Sequence, residues 1–182
     1  APMETPVGLQ TLRLPMGADL TDPIPLVVSD LPLTLEATTE NNSADKAQLL
    51  AVPSGLNGRI ESDADVDYYA FEAKKGESLT FEIIARRQRS SLDSHLRVLN
   101  EKGQQLAVND DARQGKRTHS DSWIENWTAP ADGKYWLEVR DVHLRGGAAF
   151  PYFLTVQRSA PYFELYMDTD KTQVTPGGCG VI

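Results

Sequence analysis

From Leu56 onward, apolar and polar residues alternate with a period of two, and turn-forming residues interrupt the alternation every few positions. This is the pattern of half-buried strands, because successive side chains in an extended chain point to opposite faces. Residues 68–73 read as one strand and the Lys74-Lys75-Gly76 turn follows. Residues 78–85 set Leu79, Phe81 and Ile83 against Thr80 and Glu82. Leu96 and Val98 share a face in 95–99, 100–103 is a hairpin turn, and 105–108 returns. Alternation over 123–128 places Trp123, Glu125 and Trp127 on one side and Ile124, Asn126 and Thr128 on the other. Ala131-Asp132-Gly133 is a strong turn signal. Beyond it, Tyr135, Leu137 and Val139 alternate with Trp136, Glu138 and Arg140, and 152–156 gives a last strand. Many short strands and no amphipathic helix predict an all-β, antiparallel, jelly-roll-like β-sandwich.

The flanks read differently. Residues 1–34 hold short extended stretches (LQTLRL from Leu9, then Pro25-Leu26-Val27-Val28) cut by Pro2, Pro6, Pro15, Pro23, Pro25 and Pro32. Proline blocks helices and central strands, which leaves edge strands and linkers. The expectation is the tail of a preceding module plus a linker over 1–34, a sandwich over 35–160, and the first strand of a following module over 161–182. An arm lying along the main sheet is the alternative for the N-terminal part. Ser43 is placed to cap a short helical turn over 44–50.

Composition narrows the function. The net charge is −8 over 182 residues, and the basic runs near Arg86 and Arg113 are short, so nucleic acid is a poor partner. One cysteine, Cys179, cannot form an internal disulfide. No apolar run reaches the length of a membrane span, and Ala1-Pro2-Met3-Glu4 opens no signal peptide; the chain reads as an excised segment.

Carboxylates carry the candidate chemistry. Asp63, Asp65 and Asp67 recur at every second position, so a fully extended chain would point all three the same way. Such charge has to be solvated, paired or bound to a cation. The readings are half of a hard-cation site, or a turn neutralised by Arg59 or Lys74. An EF-hand is excluded: counted from Asp63, Tyr68 stands where glycine is needed and Lys74 where the bidentate glutamate is needed. Asn109, Asp110, Asp111 and Asp121 form a second candidate cation cluster, with Asx-turns as the alternative. His95, His119 and His143 have no zinc spacing, and neither a nucleophile elbow nor a phosphate loop is present, so no enzyme activity is expected.

Together the residues resemble the bacterial pre-peptidase C-terminal domain. The elements that carry the resemblance are Glu40-Asn41-Asn42, Gly58, Asp65-Val66-Asp67-Tyr68-Tyr69-Ala70-Phe71, Lys74-Lys75-Gly76-Glu77, Ala85-Arg86-Arg87, Ser90-Ser91-Leu92-Asp93, Asn109-Asp110-Asp111, the run from Ala129 to Tyr135, and Tyr152-Phe153-Leu154-Thr155-Val156. They span roughly 36–158. The resemblance implies a non-catalytic β-sandwich appended to secreted peptidases or built into envelope proteins. Relatives of the clostridial collagen-binding domains hold calcium through an acidic linker and aspartates. Carried onto this chain, that set is Glu40, Asn42, Asp63, Asp65 and Asp67. Thr38 and Ser43 stand where two further acidic ligands would be, which favours a single ion.

The expected function is a non-catalytic accessory module of a secreted, periplasmic or cell-surface bacterial protein. Its partners are other modules of the same polypeptide, and calcium at the linker is the expected cofactor. The alternative is a carbohydrate- or collagen-binding domain that recognises an extracellular protein or glycan through an exposed aromatic face, with Trp123, Trp127 and Trp136 as candidates.

Overall fold

The computed structural model describes residues 5–37, 40–114 and 117–161. Its strands are β1 (Gly8–Leu12), β2 (Pro15–Met16), β3 (Asp19–Leu20), β4 (Ile24–Val28), β5 (Leu33–Leu35), β6 (Gln48–Leu49), β7 (Ser54–Arg59) and β8 (Asp67–Ala73). They continue as β9 (Ser78–Ile84), β10 (Ser94–Leu99), β11 (Gln105–Asn109), β12 (Ala112–Gln114), β13 (Arg117–His119), β14 (Trp123–Thr128), β15 (Gly133–Asp141) and β16 (Pro151–Arg158). Two five-stranded sheets, ordered β11-β10-β15-β8-β6 and β14-β9-β16-β7-β5, face each other. Short 3-10 turns at Ala44–Lys46 and Arg86–Gln88 are the helical elements among the described residues. None of these elements is long and apolar enough to cross a membrane.

The period-two pattern fills the space between the sheets. Leu56, Leu79, Phe81, Ile83, Leu154 and Val156 of one sheet meet Tyr69, Phe71, Leu96, Val98, Leu137 and Val139 of the other. Phe71 and Phe81 approach to 5.2 Å between ring centres across the gap, and Trp127 meets Tyr135 at 5.0 Å. Residues of this size contribute about 1.5–3 kcal/mol each on burial, which makes this layer the main source of stability.

Most pairings are antiparallel, as expected, but β5 runs parallel to β7 and β6 parallel to β8. Parallel neighbours need a crossover. Here β5 lies in one sheet and β6 in the other, and the described residues between them, 36–37 and 40–47, form a strap. It is anchored by Glu36 N–H to Asn57 O at 2.9 Å and by the Gln48 side chain, which reaches Leu35 O at 3.0 Å and accepts from Ala37 N–H at 2.7 Å.

Two local expectations change. The helical turn covers Ala44–Lys46 alone, and Ser43 makes no side-chain cap. Between Ile124 and Trp127 the β14–β9 register shifts, with Asn126 at φ 53°. That extra residue turns Trp127 onto the core face with Ile124 and separates it from Trp123. The N-terminal strands β1 and β4 form a ribbon that leans on Arg86–Gln88. Residues 162–182, with Cys179 and the expected first strand of a following module, lie outside the described residues.

Candidate functional site

The strap brings one side chain to the inter-sheet corner, and that side chain is Glu36. Its Oε2 accepts the backbone N–H of Arg59 at 2.8 Å. Its Oε1 accepts the Tyr69 hydroxyl at 2.8 Å and the Asn41 amide at 3.0 Å. Glu36 thus ties the linker to β7 in one sheet and β8 in the other. Asp67, the first residue of β8, is 0% exposed and feels the negative charge of Glu36. Asp67 Oδ2 accepts the Tyr152 hydroxyl at 2.5 Å, whereas Oδ1 is buried and unpartnered. The two phenolic oxygens of Tyr69 and Tyr152 touch at 2.6 Å.

Three short oxygen contacts link Glu36, Tyr69, Tyr152 and Asp67 in a row, and the raised carboxyl belongs to Asp67. Burial first, and then the negative charges of Glu36 and Asp65, push its carboxyl from 3.8 up to about 9, although the Tyr152 hydrogen bond works the other way. The same burial raises both tyrosines well above their usual range. A buried carboxylate oxygen with no donor, next to a second carboxylate, suits a hard cation.

Space for this arrangement comes from Gly58. A Cβ there would stand 2.6 Å from Tyr152 Cζ and from its hydroxyl. The glycine is required by close approach and not by backbone conformation.

The expected ligand set is dispersed. The chain bends at 61–64, with Ala64 at φ 64°, so Asp63, Asp65 and Asp67 do not share one strand face. Asp63 is exposed and accepts Gly146 N–H at 3.1 Å. Asp65 is buried, and its Oδ2 accepts Glu61 N–H at 2.7 Å. Glu40 is exposed and pairs with Lys46 at 3.0 Å, and Asn42 is exposed. Among the described residues, no three His, Cys, Asp or Glu side chains form a ready-made metal group. The second cluster is also divided. Asp121 is buried and accepts four N–H groups, from Ala85, Arg86 and Arg87 and from Arg87 Nε, which fix the Arg86–Gln88 turn. Asn109 bridges Trp123 N–H and Asp111 O, an Asx arrangement, while Asp110 and Asp111 are exposed.

The aromatic candidates separate as well. Trp127 is core, so it is no part of a surface platform. Trp136 sits on the outer sheet face, with Nε1 donating to Ala44 O at 2.8 Å and Lys134 5.3 Å above its ring. Trp123 is half-buried. The residues that spacing did not single out are Tyr69, Tyr152 and, among the polar side chains of the acidic stretch, Glu36.

Residues 65–141 match the family model described as the bacterial pre-peptidase C-terminal domain. A probable subtilase-type serine protease of Deinococcus radiodurans is 38% identical over 81 residues, which is 44% of this chain and 10% of that protease. The chain thus spans about a tenth of the curated relative it matches. Among solved structures, the pre-peptidase C-terminal domain of a Bacillus anthracis collagenase aligns at TM-score 0.46 and 15% identity, covering 60% of this chain and 93% of that one. PliG of Aeromonas hydrophila, a periplasmic inhibitor of g-type lysozyme, aligns at TM-score 0.43 and 20% identity, covering 69% and 94%. Over residues 65–141, this chain is similar to the bacterial pre-peptidase C-terminal domain.

Proposed function

We propose that the chain is an accessory module of a secreted or envelope protease-type polypeptide, and that one calcium ion fastens its linker to the sandwich. The observation that carries this reading is the unpartnered Asp67 Oδ1, buried beside the linker carboxylate of Glu36. Calcium takes about 6–8 oxygens, and two carboxylates with Asp65 nearby supply the charged part of that shell. The ion balances the paired charges of Glu36 and Asp67. Fixing the strap removes chain freedom between this module and what precedes it, and so sets the geometry of the larger protein. The relative from Deinococcus radiodurans supports an attachment to protease modules.

Thermal melting in calcium and in EGTA tests the reading. A ligand held only by the folded state raises the midpoint. A rise in calcium is expected; an unchanged midpoint at millimolar calcium overturns the reading.

A further inference from the structure

We propose that β1 is an association edge, where this chain pairs antiparallel with the β1 of a second copy about a two-fold axis. The inference does not depend on the calcium reading. A strand edge offers unpaired N–H and C=O groups, and folds guard it with short length, charge, proline or a bulge. Such guards stand at the other edges among the described residues. The strands β2, β3, β5, β6, β12 and β13 have two or three residues, β11 and β14 carry register shifts, and β4 carries Pro25. β1 has none of these devices. It reads GLQTL, without charge or proline, in unbroken register with β4 from Gly8–Val28 to Leu12–Ile24. Its other side has no strand partner among the described residues.

The order of residues along this edge selects a second copy as its occupant. With Gln10 on the two-fold axis, Leu12 of each copy stands opposite Gly8 of the other, and Leu9 stands opposite Thr11. On both faces a large side chain therefore meets a small one. Nothing lies within 4 Å of where a Gly8 Cβ would be, so the facing leucine has room. Leu9 and Leu12 are each 41% exposed, and Ile24, the register partner of Leu12, is 42% exposed. A two-stranded ribbon is marginal by itself, whereas the order β4-β1-β1-β4 continues the existing ladder to four strands and shields these side chains. A two-fold contact satisfies both edges at once and closes, so growth stops at two copies. Charge permits the approach: the chain carries −8, but β1 is neutral.

Sedimentation equilibrium of the full chain, from about 1 μM to about 1 mM, gives the test. A reversible dimer is expected. Thr11→Lys and Leu9→Lys change exposed side chains and set like charges across the axis. Each is expected to weaken the dimer about tenfold or more. Leu49→Lys is the control, since Leu49 is 68% exposed on the short edge strand β6, and its dimer should match the parent's. A parent that stays monomeric at the highest concentration overturns the proposal. A dimer that both β1 variants leave intact overturns it as well, because the contact then lies elsewhere. So does a dimer that Leu49→Lys weakens as much as they do, which would mark unspecific apolar association.

Discussion

Gly58 lies directly beneath the ring of Tyr152, and a single methyl at that position would stand 2.6 Å from the phenol carbon and oxygen. The glycine in β7 and the tyrosine in β16 are also register partners. Space, strand pairing and the candidate site therefore meet at one pair of residues.

Gly58→Ala is expected to displace the phenol from Asp67. Overpacking of this kind costs about 1–3 kcal/mol. Urea unfolding should show that loss, together with a smaller calcium-dependent gain than in the parent. A variant as stable as the parent, with the full calcium gain, would show that the ring has room to move.

Asp67→Asn separates charge from shape. The Asp67 carboxyl is raised from 3.8 to about 9, so folding takes up a proton in the window between these values. The stability tied to that proton is complete below 3.8 and lost as pH rises through about 9. Asparagine carries its own donor toward Glu36 and needs no proton. Without calcium, the variant should melt higher than the parent at pH about 8 and equal it at pH about 4. Its melting temperature should ignore calcium. Parallel melting curves across this pH range would count against the proton.

Asp141 gives the opposite slope. Burial opposes its charge, but Arg145 Nε and Nη2, each at 3.0 Å, and the N–H groups of Asp93, His143 and Arg145 outweigh burial and hold it at about 2. A depressed carboxyl stabilises the fold above its usual 3.8, and that contribution disappears as pH falls through about 2. Acid titration followed by circular dichroism should show the parent losing stability in that interval. Asp141→Asn should be less stable at neutral pH and flatter in acid; an equally steep acid loss would assign the effect elsewhere.

The tryptophans divide by role. Trp127→Ala empties the aromatic cluster of Phe71, Phe81 and Tyr135 and should cost about 3–5 kcal/mol. Trp136→Ala removes one hydrogen bond and one cation contact and should cost about 1–2 kcal/mol. Chemical denaturation of the two variants checks the order, and a reversed order would place Trp136 in the core.

Strand positions and the inward set Leu79, Phe81, Leu137 and Val139 were legible, because burial of one face forces a period of two. Trp127 was not legible, since one inserted residue at Asn126 inverts everything after it and leaves no compositional mark. The acidic linker was legible as a polar connection, but the side chain that anchors it, Glu36, was not. Glu36 and Asp67 are 31 residues apart in the numbering, and only the strap's crossing between sheets joins them. Tyr69 and Tyr152 are core aromatics. Their hydroxyls find the carboxylates through a fold that no local pattern encodes.

The side-by-side run of β5 with β7 has a mechanical consequence. A tug on the leader from its N-terminal side loads the β5–β7 rungs and the Glu36 anchor at the same moment, in shear, instead of unzipping them one after another. The joint should yield late and abruptly when the larger protein is stretched.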